Sequence, residues 1–268
     1  MLARKGHKRP GTGRCRTALE EPAMSSKSHT HISGHGKQYS AGKPTHCKEF
    51  ALDTREFELL FEGALKLDHK DSVLETAFAL IAMGRLGLRV SELVHLRNEW
   101  INMRDRMIEI PHHEPCDMGR GGSICGSCKQ HAEQRADYNP EISIEQALAD
   151  SWRAKTTAAA RSIPFDFDSR VELWVERFYD RYEQGWPYTH STVKRRLDWA
   201  QDAADGLEGK RIFPHALRAT AASHHAAQGL ESLTLQAILG WSDAQTADRY
   251  ITHSGERAAA VLRDTYQR

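Results

Sequence analysis

HALRATAASHHAAQGLESLTLQAILGWSDAQTADRY, residues 215–250, is the stretch on which the reading of this chain turns. Small and apolar residues recur there at helical spacing, with a turn around Gly229 and a break at Gly240. The pattern predicts helices over 215–228, 232–239 and 243–251. His215 and Arg218 stand at i and i+3, so they project from one helix face and could grip a phosphate oxygen together. Beyond Gly240, Trp241 offers an indole N–H donor and Tyr250 a hydroxyl. A tyrosine hydroxyl is a competent nucleophile only where something accepts its proton and the attacked phosphate is neutralised.

Working outward, the pattern stays helical upstream, with helices expected over 191–204 and 169–182, and one more downstream over 255–266. Before them, residues 152–165 read as a hairpin whose strands flank a short Thr/Ala turn; its KTTAAARSIP stretch carries Lys155. A lysine ammonium there can reach a DNA groove and donate a proton to a leaving alkoxide. Taken alone, most hairpin lysines are simply solvated. MIEIP, residues 107–111, alternates like a strand. GLRVSEL, residues 87–93, follows a strongly apolar helix predicted over 72–86. It sets Arg89 on a turn, with Ser91 able to cap a short helix to about Arg97 and Glu92 placed to steer the guanidinium. Taken alone, Arg89 is a helix-capping residue paired with Glu92. A further helix is expected over 56–67, with Phe57, Leu60, Phe61, Ala64 and Leu65 on its apolar face, and order should begin near Asp53.

Residues 1–50 are rich in Lys, Arg, His, Gly, Ser and Thr and read as a disordered basic tail, a matter of solubility more than of DNA attraction. The start is basic but lacks the apolar region of a secretory signal. No apolar run approaches the roughly 20 residues that cross a bilayer. Lys and Arg number 37 against 36 Asp and Glu, so net charge does not announce a nucleic-acid partner; a basic face can still hide in a balanced total. Hydrophobic residues make up 40 %, enough for a core. An intracellular protein is expected.

Residues 112–150 read as an irregular insertion. It holds Cys116, Cys125, Cys128 and His131, a C-x-x-C pair with an outlying cysteine and a nearby histidine. That set fits tetrahedral zinc, with His112 or His113 as alternatives to His131; three free cysteines in a loop is the competing reading. A small loop-rich insertion has little core, so the metal would be structural. A catalytic zinc is disfavoured, since no Glu base sits in a recognisable motif.

Each block is bland by itself. Together and in order they resemble the tyrosine recombinase (phage integrase) family, over roughly residues 53–267. The family carries Arg in a GLR-x-[ST]-E-L turn, Lys on a hairpin, H-x-x-R, His or Trp after L-G, then Tyr. The resemblance implies an α+β, mainly α, catalytic-domain fold over 51–268, with a small antiparallel sheet or hairpin and the Cys-rich insertion. It also implies a site-specific recombinase or integrase. Tyr250 would attack the scissile phosphodiester and form a 3′-phosphotyrosyl link, while Arg89 and Arg218 would hold the non-bridging oxygens. Lys155 would protonate the departing 5′ oxygen, and His215 would assist proton transfer or bond the phosphate. Trp241 occupies a position more often filled by a second histidine; it can donate a hydrogen bond but cannot shuttle a proton. No cofactor is needed for this chemistry. The implied partners are double-stranded DNA and further copies of the chain, as a tetramer on DNA, in a cytoplasmic, nucleoid-associated setting without a membrane.

Two departures are expected: the insertion, and a basic tail standing ahead of the catalytic helices where family members usually carry an N-terminal core-binding domain. The second leaves as alternatives a domain acting with a partner, or a non-catalytic DNA-binding regulator or relic. Residues 219–241 could pass for a helix-turn-helix, but such a regulator has no reason to keep Arg89, Lys155, His215 and Tyr250 at these spacings. A type IB topoisomerase shares the chemistry; the short chain and the phage-type hairpin argue against it.

Overall fold

Asp53 opens the first long helix with a reciprocal cap. Its Oδ1 accepts from the Glu56 N–H at 2.8 Å, and Glu56 Oε2 accepts from the Asp53 N–H at 3.1 Å. The helix is α1, Thr54–Leu65; it buries Phe57, Leu60, Phe61 and Ala64. Leu65, expected on the same face, is 46 % exposed, because it falls at the end of the apolar stripe. The computed structural model describes residues 47–251 and Tyr266. Most of the expected tail, and the expected helix over 255–266 apart from Tyr266, lie outside the described residues. Order begins earlier than Asp53: Cys47–Phe50 form a 3-10 turn. Phe50 meets Phe213 edge-on, and the Leu52 N–H donates to Thr220 Oγ1. A tail rich in polar residues concealed this one aromatic anchor.

α2, Lys70–Gly84, is the central element, with every residue from Glu75 to Gly84 buried. Packed around it are α1, α6 (Ser169–Arg181), α7 (His190–Ala203) and α8 (Pro214–Ala227). Phe78 of α2 stacks on Phe178 of α6 at 3.8 Å, with Trp186 beside both. The fully buried Glu75 carboxylate accepts from the hydroxyls of Tyr182 and Tyr188 and pairs with Arg196, so its burial is compensated. α9 is Ser232–Leu239 and α10 is Ala244–Asp248, shorter than the helix expected over 243–251. Between α2 and the sheet lies α3, Val90–Leu93.

The strands are β1 (Ile101–Asn102), β2 (Met107–Ile110), β3 (His113–Glu114), β4 (Trp152–Arg153) and β5 (Arg161–Pro164). β2 lies between β1 and β5, antiparallel to both, with Ile108 opposite Ile163. β3 pairs with β4 in a separate ladder. The hairpin expected over 152–165 is therefore two strands with different partners. A 3-10 turn at Thr157–Ala159 separates them, and each finds a better mate upstream. The insertion is also more regular than expected, since it contains α4 (Gly126–Tyr138) and α5 (Ile144–Ala149). α4 buries only Cys128 and Ala132, too few positions to leave a periodic pattern. α5 carried a readable signal, the Ser143/Gln146 capping box. Among the described residues no helix is long and apolar enough to cross a membrane.

Candidate active site

The site is built on two glycines. Gly87 has φ +66°, and a Cβ there would come within 2.2 Å of Leu239 Cδ2. Gly240 is left-handed at φ +58°, and a Cβ there would meet Ala158 O and Ala159 Cα at 2.9 Å. These close approaches bring the turn after α2, the end of α9 and the 3-10 turn before β5 together.

Glu92 joins the three. Its Oε1 accepts from Arg89 Nη1 at 2.7 Å and Arg161 Nη1 at 3.0 Å. Its Oε2 accepts from the Arg89 backbone N–H at 2.7 Å and Arg161 Nη2 at 3.0 Å. Burial alone would raise this carboxyl. The charge and hydrogen bonds of Arg161, helped by Arg89 and Arg218, outweigh it and hold the group at about 2. Arg161 also donates to Ile238 O and Ala159 O. Its place in KTTAAARSIP, six residues past Lys155, was the available signal; the sequence reading left it without a role.

Arg89 and Arg218 are steered by main-chain carbonyls. Arg89 Nη2 donates to Gly240 O at 2.7 Å. Arg218, 6 % exposed, donates through its two terminal nitrogens to Gly87 O and Leu239 O. Each terminal nitrogen carries two hydrogens, so both forks are fixed in direction and keep donors for an anion. Burial and the neighbouring Arg89 push the Arg218 guanidinium well down, and Glu92 opposes that shift; an arginine starts so high that it remains a cation.

Lys155 and His215 stand at the exposed side of the same pocket. Partial burial, then the charges of Arg89 and Arg218, lower Lys155. His215 is lowered by desolvation and by Arg218, Lys155, Arg89 and His190. Tyr250 is raised by burial, against which Arg218 and Arg249 act. Its ring stacks on Trp241 with centroids 5.3 Å apart and planes 15° from parallel, and the Arg218 guanidinium carbon lies 5.8 Å from the Trp241 ring centroid. Lys48, assigned to the tail on sequence grounds, donates to Arg249 O and lies 5.8 Å from the centre of the Tyr250 ring. Arg89, Lys155, His215, Arg218, Trp241 and Tyr250, scattered over the sequence, thus converge. The result is an anion socket with a hydroxyl beside it.

The expected metal residues divide. Cys116, Cys125 and Cys128 come together, and the histidine among them is His95, whose Nε2 lies 3.3–3.6 Å from the three sulfurs. His131 is exposed on α4, and His113 pairs with Asp150 instead. No spacing rule points from the cysteines to His95; the fold makes that pairing.

Fold and socket together define a mainly helical α+β domain with a small antiparallel sheet and a cationic socket beside a tyrosine. The chain belongs to the phage integrase family, whose model matches residues 51–257. It is 25 % identical over 219 residues to tyrosine recombinase XerC of Staphylococcus saprophyticus, a match covering 80 % of this chain and 60 % of that protein. The chain therefore spans about 60 % of the length of this curated relative. The Tn1549 transposon integrase, solved with transposon right-end DNA, shares the fold at a TM-score of 0.55 and 18 % identity, over 80 % of this chain and 65 % of that one. The same integrase with a circular intermediate DNA gives 0.54 at 19 %, over 80 % and 66 %.

Proposed function

We propose that this chain breaks and rejoins double-stranded DNA through a covalent 3′-phosphotyrosyl intermediate at Tyr250, as a site-specific recombinase or integrase. The observation that carries the reading is the convergence of Arg89, Arg218 and Lys155 on one pocket beside the Tyr250 hydroxyl. Tyr250 Oη attacks phosphorus as the bond to the 5′ oxygen breaks. Arg89 and Arg218 neutralise the charge that grows on the non-bridging oxygens. His215, lowered toward its neutral form, takes the tyrosine proton; Lys155, also lowered, gives one to the 5′ oxygen. Trp241 holds the Tyr250 ring by stacking. Rejoining is the reverse displacement by a 5′ hydroxyl, so the phosphotyrosyl bond conserves the energy and no ATP is consumed.

DNA is present in the Tn1549 integrase complexes, which supports DNA as the substrate here. Assembly as a tetramer on two duplexes, and a cytoplasmic, nucleoid-associated setting, belong to the same proposal. The test is covalent trapping: labelled supercoiled DNA is incubated with the protein, denatured, and resolved. A DNA–protein adduct with the wild type and none with Tyr250→Phe is expected. An adduct that survives Tyr250→Phe overturns the nucleophile assignment. DNA binding without any adduct would favour a binding-only relic.

A further inference from the structure

The Cys-rich insertion closes onto the segment that carries the candidate site. Cys116 follows β3, and Cys125 and Cys128 begin α4. His95, however, lies just past α3, the short helix that Arg89 opens and Glu92 occupies. Its Nε2 is 3.4 Å from Cys116 Sγ, 3.6 Å from Cys125 Sγ and 3.3 Å from Cys128 Sγ. All four donor atoms lie within 4.8 Å of one another. A zinc ion with Zn–S near 2.3 Å and Zn–N near 2.0 Å would have tetrahedral S···N edges of about 3.5 Å, the spacing observed.

The surroundings are those of a ligand set. His95 Nδ1 bonds Ser91 O at 2.8 Å, which fixes Nδ1 as the protonated nitrogen and turns the Nε2 lone pair toward the sulfurs. The indole N–H of Trp152 donates to the same carbonyl at 3.3 Å. Backbone N–H groups of Cys125 and Cys128 donate to the sulfurs of Cys116 and Cys125, as they would to thiolates. His95, Cys116 and Cys128 are 8 %, 6 % and 3 % exposed. Three thiols, two buried and that of Cys125 half-buried, and an imidazole among weak hydrogen bonds gain far more from a divalent ion than from each other.

We infer that His95, Cys116, Cys125 and Cys128 bind a structural zinc ion, which clamps the insertion to the turn carrying Arg89 and Glu92. This inference stands apart from the recombinase reading. Binding displaces the three thiol protons and leaves no open coordination position, so the ion is a fastener and not a catalyst. The histidine ligand is His95, in place of the His131, His112 or His113 expected from spacing. The insertion's own core is thin, since α4 buries two residues and α5 one, and the ion would supply the missing cohesion.

The experiment is metal analysis of the full chain under reducing conditions, followed by chelation and titration with cobalt(II). About one zinc per chain is expected, and cobalt should give the intense visible bands and sulfur-to-metal charge transfer of a tetrahedral thiolate site. His95→Ala should weaken metal binding by about a hundredfold or more, whereas His131→Ala should leave it unchanged. If Cys128→Ser fails to fold, the wild-type cobalt spectrum and the His95/His131 contrast still decide. Absence of zinc together with a featureless cobalt titration overturns the site. So does a disulfide among these cysteines in the freshly isolated protein, or metal lost with His131→Ala and kept with His95→Ala.

Discussion

Arg161 meets Glu92 with two parallel hydrogen bonds, Nη1 to Oε1 and Nη2 to Oε2, both at 3.0 Å. The pair is almost wholly shielded, at 5 % and 1 % side-chain exposure. Glu92 therefore serves as the fixed counter-charge on which Arg89 and Arg161 are both hung, and it keeps the cations of the socket from driving one another apart. Arg161 does not itself belong to the chemistry proposed for the site; it is a positioning residue.

Removing Arg161 leaves a buried carboxylate with half its partners. Arg161→Ala should cost about 3–5 kcal/mol, the usual penalty for breaking a buried pair from one side. Glu92→Gln should cost at least as much, since its amide NH2 would face N–H donors and the cations of the socket would lose their counter-charge. Denaturant unfolding of the two variants and their double variant gives the coupling directly. Additive effects, with a coupling below about 0.5 kcal/mol, would show that the pair is not acting as a unit.

Glu92 also sets an acid limit. Its carboxyl is held at about 2 in the folded chain, below the ordinary value of about 4.3 that it regains on unfolding. The sign is that of a depressed acid: the stabilisation is fully present above the unfolded value and is lost as pH falls from about 4 toward 2. Unfolding free energy of the wild type should fall through that window more steeply than that of Glu92→Gln. Parallel curves for the two proteins would remove Glu92 from the acid response.

The candidate constellation was legible because its residues sit at helix ends and turns that glycines mark. Gly87, Gly240 and the i, i+3 pair His215/Arg218 are local features, and their identities alone carry chemical meaning. What stayed hidden was non-local. The strands at Trp152 and Arg161 look like hairpin partners because they are neighbours in sequence; only pairing energy with β3 and β2 separates them. His95 sits among apolar residues far from any cysteine motif, so nothing nearby marks it as a ligand. α4 hides for a different reason, since a helix that buries two side chains has no face to read.

Gly240 is where backbone conformation and site geometry meet. Its own carbonyl holds Arg89, and the preceding carbonyl, Leu239 O, holds Arg218. Gly240→Ala puts a Cβ on a left-handed residue and within 2.9 Å of the Ala158 and Ala159 backbone. The expected loss is about 1–3 kcal/mol of stability, with a larger proportional loss of covalent adduct, because both guanidinium anchors move. Thermal melting and adduct yield, measured side by side, test this. An unchanged adduct yield in a destabilised protein would show that the carbonyl anchors are dispensable.

The proposed acid and base shift in opposite functional directions from one cause. His215 is depressed by desolvation and by the cations of the socket, so it is neutral near pH 7 and gains a proton only below its ordinary value of about 6.5. Lys155 is depressed by burial and by Arg89 and Arg218, so it loses its proton below its ordinary value of about 10.4. Single-turnover cleavage should therefore follow a bell. Its acid limb, below pH 6.5, should vanish in His215→Gln, and its alkaline limb, below pH 10.4, should vanish in Lys155→Ala. A substrate carrying sulfur at the bridging 5′ position separates the two limbs. A thiol has a pKa of about 8.5, so its thiolate leaves without a proton. Lys155→Ala should then cleave the sulfur substrate nearly as fast as the wild type does, while remaining slow on ordinary DNA. If it stays equally slow on both, Lys155 binds the phosphate and some other group protonates the leaving oxygen.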